Sequence, residues 1–284
     1  MQTRRPNWLR VKLPGSEKYY RLKDILRTAN LHTVCEEAVC PNIGECFGQG
    51  TATFLILGDV CTRKCNFCAV SKGKPTVLDE EEPEKIARAV EQIGLRHVVI
   101  TSVTRDDLPD GGASHYAKTI KIIRTRNPIC TIEVLIPDFE GSIEALEIVL
   151  KECPDILNHN LETVPRLYPD VRPQAEYERS LNLLEKAKEI YPDSTTKSGL
   201  ILGLGEEYDE IIDVMKDLRE VDCDILTIGQ YLSPAKEHTP INRFYHPDEF
   251  KHLKYEGEKM GFKHVESDPM VRSSYHAAEQ FKFV

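Results

Sequence analysis

The stretch Thr53-Phe54-Leu55-Ile56-Leu57-Gly58-Asp59-Val60-Cys61-Thr62-Arg63-Lys64-Cys65-Asn66-Phe67-Cys68 decides how the rest of the chain is read. It opens as a short apolar run, breaks at Gly58, and passes into a loop whose cysteines are spaced C-x3-C-x2-C. Strands buried on both faces of a parallel sheet read as such runs, and in parallel barrels the chemistry sits on loops at the C-terminal strand ends. Three thiolates on one short loop can hold three irons of a [4Fe–4S] cube and leave the fourth open to a small molecule. A structural zinc site is the alternative, but zinc prefers four ligands and C-x2-C pairs. Its fourth ligand would be His97, which a buried strand position explains as well.

Downstream, the same rhythm repeats. Apolar, β-branched runs at Thr53–Leu57, His97–Val103, Thr131–Ile136, Ile156–Leu161, Gly199–Leu204 and Ile225–Tyr231 alternate with amphipathic stretches at Pro83–Ile93, His115–Arg126, Ser142–Lys151, Tyr177–Ile190 and Tyr208–Val221. Pro83 opens a helix where its missing N–H costs nothing, and Gly94 follows as a C-terminal cap. Alternating strands and helices imply parallel crossovers. The expected fold is therefore α/β, a partial parallel barrel of about six strands, with a doubly wound open sheet as runner-up. Residues 1–50 form an N-terminal extension, with a short helix at about residues 22–29; residues 51–262 form the barrel; residues 263–284 form a C-terminal extension.

The 284 residues suit one α/β barrel of roughly 200–250 residues with extensions. A net charge of −9 argues against nucleic acid as the main partner. Seven basic residues precede Asp24 (Arg4, Arg5, Arg10, Lys12, Lys18, Arg21 and Lys23) against one acid, which makes either a solvated arm or a docking surface for an acidic partner. The sequence has no apolar run near the roughly 20 residues that span a bilayer, and no secretory pattern follows Arg4 and Arg5. A cytoplasmic protein without membrane contact is expected. Nine cysteines, an odd number, crowd six deep between Cys35 and Cys68, so metal binding is favoured over a disulfide framework.

The second cysteine group is Cys35-Glu36-Glu37-Ala38-Val39-Cys40-Pro41-Asn42-Ile43-Gly44-Glu45-Cys46, spaced C-x4-C-x5-C. It too puts three thiols on one loop, as a cluster site or as three buried thiols. C-x3-C-x2-C with Phe67 before the last cysteine resembles the radical S-adenosylmethionine (SAM) superfamily. The second cysteine loop is similar to lipoyl synthases. So are Thr101–Gly112, Asn158–Val164, Lys197–Leu200, Gly203–Glu206, Gly229–Leu232 and the final Arg272-Ser273-Ser274-Tyr275, in order from about residue 8 to 280.

That resemblance implies a radical-generating cluster on Cys61, Cys65 and Cys68, with SAM on its open iron. It also implies an auxiliary [4Fe–4S] cluster on Cys35, Cys40, Cys46 and a serine of the RSSY motif, placed on Ser274 with Ser273 as the fallback. Arg272 would shield or gate that cluster. The implied activity is insertion of two sulfur atoms at C6 and C8 of an octanoyl chain on a lysine of a carrier domain or H-type carrier protein, with sulfur drawn from the auxiliary cluster. The implied partners are that carrier, an electron donor such as ferredoxin or flavodoxin, and a cluster-repair protein. Another radical SAM enzyme, of biotin-synthase-like or methylthio-transferring type, and a non-enzymatic two-cluster electron carrier are the competing readings.

The remaining residues divide less sharply. Asn160 and Glu162 end one strand run, and Gly203, Gly205 and Glu206 end another; all five are candidates for SAM contacts, or for turns. Lys197 is a candidate in the same sense, and Lys197 and Arg172 could pair with a carboxylate or cover surface. Asp59 could orient the first cysteine loop, and Arg105, Asp106 and Asp107 could form a local ion network. Cys130, Cys153 and Cys223 stand singly and read as small core hydrophobes.

Overall fold

A computed structural model describes residues 5–280. The chain forms two compact units. One comprises Val11–Arg63 and Ala69–Leu157; the other comprises residues 5–10, Lys64–Cys68 and Asn158 onward.

The first unit carries strands β1 (His32–Thr33), β2 (Thr53–Ile56), β3 (Val60–Cys61), β4 (Ser71–Lys72), β5 (His97–Ser102) and β6 (Thr131–Leu135). Its helices are α1 (Glu17–Ala29), α2 (Val34–Glu37), α3 (Ile43–Gln49), α4 (Glu82–Ile93), α5 (Ala113–Arg126) and α6 (Ile143–Leu150). β2, β5 and β6 pair in parallel, Phe54 against Ile100 and Ile100 against Val134, while β1 closes the edge antiparallel to β2. β3 and β4 make a separate two-stranded ribbon around the first cysteine of the C-x3-C-x2-C loop. In β5 the residues Val98–Thr101 are all buried, as a strand covered on both faces must be. Ile86, Val90, Tyr116, Ile120, Ile123 and Leu146 supply the helical side of this core.

The strand β7 (Ile156–Asn158) lies where the units divide. The second unit continues with α7 (Tyr168–Val171), α8 (Tyr177–Ile190), β8 (Thr195–Leu202), α9 (Tyr208–Glu220), β9 (Ile225–Gln230), α10 (Pro247–Met260), β10 (His264–Ser267) and α11 (Ala277–Gln280). β8, β9 and β10 run in parallel. Leu200, Leu202, Ile211, Met215, Leu218, Ile228, Phe250 and Val265 make one apolar cluster between them and their helices.

The structure extends the sequence expectations in several places. The helix expected at residues 22–29 begins at Glu17, because the Ser16 hydroxyl accepts from the Tyr19 N–H and caps it. β8 begins at Thr195 rather than Gly199: Thr196, Lys197 and Ser198 are polar yet fully buried, so no apolar run announces the strand. α10 and β10 were not expected. α10 is dominated by charge, with only Phe250, Leu253 and Gly257 buried, and β10 is four residues long. With β1, β3 and β4, the chain has more strands than the six expected. Among the described residues no helix is long and apolar enough to cross a membrane.

Candidate functional site

The first cysteine loop is held at its root by buried charge. The Cys61 sulfur accepts from the Thr104 N–H at 3.3 Å, and Thr62 donates to the Thr104 carbonyl. Arg63, 5% exposed, makes a two-pronged pair with Asp106 at 2.8 and 2.9 Å and reaches the fully buried Asp138 at 2.6 Å. Burial disfavours its charge, but the hydrogen bonds to Asp106 and Asp138 outweigh that and hold the guanidinium above its usual range. Arg105 pairs with Asp107 and also donates to the Leu57 carbonyl. Arg105 and Asp107 therefore pair as expected, while Asp106 pairs with Arg63, and both arginines are buried.

In the second unit the rest of the loop is fastened through its backbone. The Lys64 N–H donates to the Gln174 side chain, and the Asn66 N–H donates to the Val171 carbonyl. His238 Nε2 donates to the Cys68 carbonyl at 3.1 Å. Phe67 packs on the apolar cluster. His97 is no spare ligand: it bonds the Thr131 hydroxyl at 2.8 Å and faces Glu133 at 3.7 Å.

The second cysteine group occupies two short helices and the turn between them. Thr33 caps α2, which carries the buried Cys35; Val39 turns the chain with φ 51°; α3 carries Cys46. Burial, reinforced by the negative charge of Cys40, pushes the Cys35 thiol up to about 12. The same two causes push Cys46 up to about 11. Thiols that raise one another's pKa are close neighbours, and a cationic cluster removes that cost by binding all of them as thiolates. Among the described residues no three such groups converge on a single ion. A cubane spreads its cysteines over different irons, so this donor set fits a cluster better than a lone metal.

A strap lies directly on this loop. A side chain on Gly44 would overlap the backbone of Lys12 and Pro14, and Lys12 pairs with Glu45 at 3.0 Å. Gly44→Ala is expected to displace the strap at a cost of about 1–3 kcal/mol. It should lower the melting temperature and speed tryptic cleavage after Lys12; unchanged values would mean the contact is slack.

Beyond β7 the chain keeps pairing with β8, but out of step. The His159 N–H donates to the Lys197 carbonyl, the Glu162 N–H to the Gly199 carbonyl, and the Ile201 N–H to the Glu162 carbonyl. Three residues on one side span two on the other, which is a β-bulge, and Glu162 takes the left-handed backbone with φ 66°. Three of the freed backbone groups are answered. The Leu161 N–H donates to Ser198 Oγ; Arg172 Nη1 donates to the Asn160 and Leu161 carbonyls; the Tyr168 hydroxyl donates to Leu161 as well. Arg172, expected on a carboxylate or on the surface, is buried and braces this bulge.

Asn160 Nδ2 donates to Glu162 Oε1 at 3.0 Å and to Ser273 Oγ at 3.2 Å. Burial raises the Glu162 pKa, opposed by the charge of Arg172, the Asn160 hydrogen bond and the charge of Arg272. This brings together three expected residues, Asn160, Glu162 and Arg272, with Ser273 of the RSSY motif. The tail is seated from the other side by Gly229, where any side chain would overlap the Val271 carbonyl.

Lys197 is wholly buried in β8. The Glu206 carboxylate accepts from the backbone N–H groups of Gly203, Leu204 and Gly205 at 2.6–3.1 Å, so it is spent on its own turn rather than offered to a ligand. Cys130 and Cys223 are buried as expected, but Cys153 is exposed: it sits in a left-handed turn after α6. Sequence reasoning missed the bulge and its braces, Arg172 and Ser198, because a one-residue insertion leaves no mark in composition.

A family model described as the radical SAM superfamily matches residues 55–218, and one described as the N-terminal domain of lipoyl synthase of the radical SAM family matches residues 1–40. A lipoyl synthase of Caldanaerobacter subterraneus subsp. tengcongensis is 57% identical over 98% of this chain and 97% of its own. The chain belongs to the lipoyl synthase family. A lipoyl synthase of Rubrobacter xylanophilus is 58% identical over 97% of this chain and 86% of its own. Lipoyl synthases are radical SAM enzymes, and a [4Fe–4S] cluster and SAM are the cofactors of that superfamily. Among solved structures, HydG, a maturase of the [FeFe]-hydrogenase, aligns with a TM-score of 0.58 at 15% identity, over 87% of this chain and 56% of that one. At that identity the likeness concerns the fold alone, which is the mostly parallel α/β partial barrel of radical SAM proteins.

Proposed function

We propose that this lipoyl synthase family member inserts two sulfur atoms, at C6 and C8, into an octanoyl chain held on a lysine of a carrier-protein domain. The observation that carries the reading is the presence of two separate three-thiol loops, C-x3-C-x2-C and C-x4-C-x5-C, in a chain of this family. Cys61, Cys65 and Cys68 hold the radical-generating cluster, and Cys35, Cys40 and Cys46 hold an auxiliary one that Ser274 completes. When bound, the first cluster supplies the electron that cleaves SAM to a 5′-deoxyadenosyl radical, and the second supplies sulfide.

The protein's own contribution is alignment and shielding. The Thr104 N–H orients the Cys61 sulfur, and Arg63 locks the loop root to Asp106 and Asp138. Asn160, Glu162 and Lys197, with the backbone at Gly203 and Gly205, form the SAM-binding side; Glu206 acts through the turn it holds. Arg272 shields the auxiliary cluster. A reductant of ferredoxin or flavodoxin type supplies electrons, and consumption of the auxiliary cluster calls for a repair protein. On this reading residues 1–50 are the auxiliary-cluster extension, 51–262 the radical SAM body and 263–284 the RSSY extension.

The test uses the anaerobically reconstituted protein, a reductant, SAM and an octanoyl-lysine peptide. Mass spectrometry is expected to find two sulfurs replacing two hydrogens on the chain. Formation of 5′-deoxyadenosine with no sulfur entering would keep the radical chemistry and overturn the substrate. Absence of both from protein with two intact clusters would overturn the proposal.

A further inference from the structure

We propose that Thr51 and Thr53 are positioning residues for the auxiliary cluster: from the start of one strand they hold the last and first cysteines of the C-x4-C-x5-C group, and the Thr53 hydroxyl tunes the cluster's reduction potential through Cys35. The inference rests on the auxiliary-cluster reading above and adds two residues to it.

The case begins with strand pairing. β1 runs antiparallel to β2, with His32 opposite Leu55 and Thr33 opposite Phe54. One step past Thr33, that register brings the chain level with Thr53 just as it turns into α2. Thr33 fixes where the helix starts by accepting from the Glu36 N–H, and Cys35 is the second residue of the helix. Cys35 is therefore set down beside the first residue of β2. Thr53 is 5% exposed, and β2 is buried along its whole length. A hydroxyl in such a place finds a partner or costs about 1–3 kcal/mol. The partner is Cys35. Burial is the larger effect on that thiol and raises its pKa; the N–H and the hydroxyl of Thr53 both bond it and work to lower it.

The other end of the group is held two residues earlier. Gly50 ends α3 with a φ of 83°, which turns the chain back over the last helical turn. The Thr51 N–H and hydroxyl then both donate to the Cys46 carbonyl, at 2.8 and 3.0 Å. Against burial and the charge of Cys40, which raise the Cys46 pKa, the Thr51 hydroxyl also works to lower it. All of these residues lie in the stretch Val11–Arg63 of one compact unit.

The consequence is electronic as well as mechanical. A hydrogen bond donated to a ligating sulfur stabilises the negative charge that reduction adds, so it raises the potential of the cluster. Thr53 does this at Cys35. Thr51 fixes the backbone that presents Cys46, so its loss loosens the site.

The experiment isolates the auxiliary cluster. The host protein carries Cys61→Ala, Cys65→Ala and Cys68→Ala, so any cluster it binds belongs to the other loop. Its midpoint potential is measured by redox titration followed by electron paramagnetic resonance, and iron release to a chelator is timed. Thr53→Val keeps the shape and removes the hydroxyl; it is expected to shift the potential downward and to speed release by roughly fivefold, the factor one hydrogen bond is worth. Thr53→Ser, which keeps the hydroxyl, should restore both. Thr51→Val should speed release by a similar factor and Thr51→Ser should restore it.

The proposal is overturned if Thr53→Val leaves the potential at the host value, since a merely structural threonine would alter release alone. It is also overturned if Thr53→Ser behaves like Thr53→Val, or if Thr51→Val releases iron no faster than the host. Should Thr53→Val fail to fold, Thr53→Ala removes the same hydroxyl with less bulk and is held to the same outcomes. Failure of the host itself to bind a cluster would overturn the auxiliary-cluster reading, and this inference with it.

Discussion

Cys61→Ala is expected to abolish reductive cleavage of SAM, down to the level of the iron-free protein. Three thiolates are the minimum that fixes a cube in one orientation on a short loop, and Cys61 is the one whose sulfur the Thr104 N–H aligns. The loop root should survive the change, because its Arg63–Asp106–Asp138 network does not involve the sulfur. The measurement is 5′-deoxyadenosine formed per hour from SAM and dithionite, with circular dichroism to confirm the fold. Cys153→Ala is the control: that cysteine is exposed, stands in a turn after α6, and should leave cleavage unchanged. Appreciable cleavage by Cys61→Ala would remove this cysteine from the radical-generating site.

Cys35→Ala is expected to separate the two chemistries. The first loop and its anchors are untouched, so 5′-deoxyadenosine should still form, uncoupled from any product. Sulfur insertion should be lost outright, since one of the three thiols of the auxiliary site is gone. Cys35 is a buried side chain at the start of α2, so its truncation also removes some packing, about 1 kcal/mol by the loss of one small group. A modest fall in melting temperature is therefore part of the expected result. The decisive comparison is the ratio of sulfur inserted to 5′-deoxyadenosine formed, which should fall to zero. Equal and complete loss of both activities in a folded, iron-bearing Cys35→Ala protein would argue that the two loops do not have separate roles.

Much of this was legible in the sequence where one signal dominated. The strand at His97–Ser102 is a plain apolar run, and the helix after Pro83 has its stop written in Gly94, which takes the left-handed cap. The spacing of the first cysteine loop pointed to a cluster, whereas that of the second left a cluster and three buried thiols both open until the resemblance was considered. What stayed hidden was structure made by polar residues that end up inside. Thr196, Lys197 and Ser198 form buried strand without looking apolar, and Thr196 is satisfied by Asp224, the residue just before β9. The Glu206 carboxylate looked like a ligand group and turned out to be a turn-former, because three backbone N–H groups compete for it at close range. Cys153 read as core because free cysteines usually are, but the left-handed turn that carries it puts it outside.

The bulge after β7 has a consequence for anyone who would move this site into another scaffold. Its three residues are not a self-contained cassette. Their spare carbonyls belong to Arg172, their spare N–H to Ser198, and the space for Asn160 belongs to Gly199. A graft of residues 159–162 alone would leave two acceptors and a donor unanswered in the host interior, and the host strand would straighten to recover its ladder. The portable unit is the discontinuous set: the inserted residue, the guanidinium that follows α7, and the serine–glycine pair on the neighbouring strand.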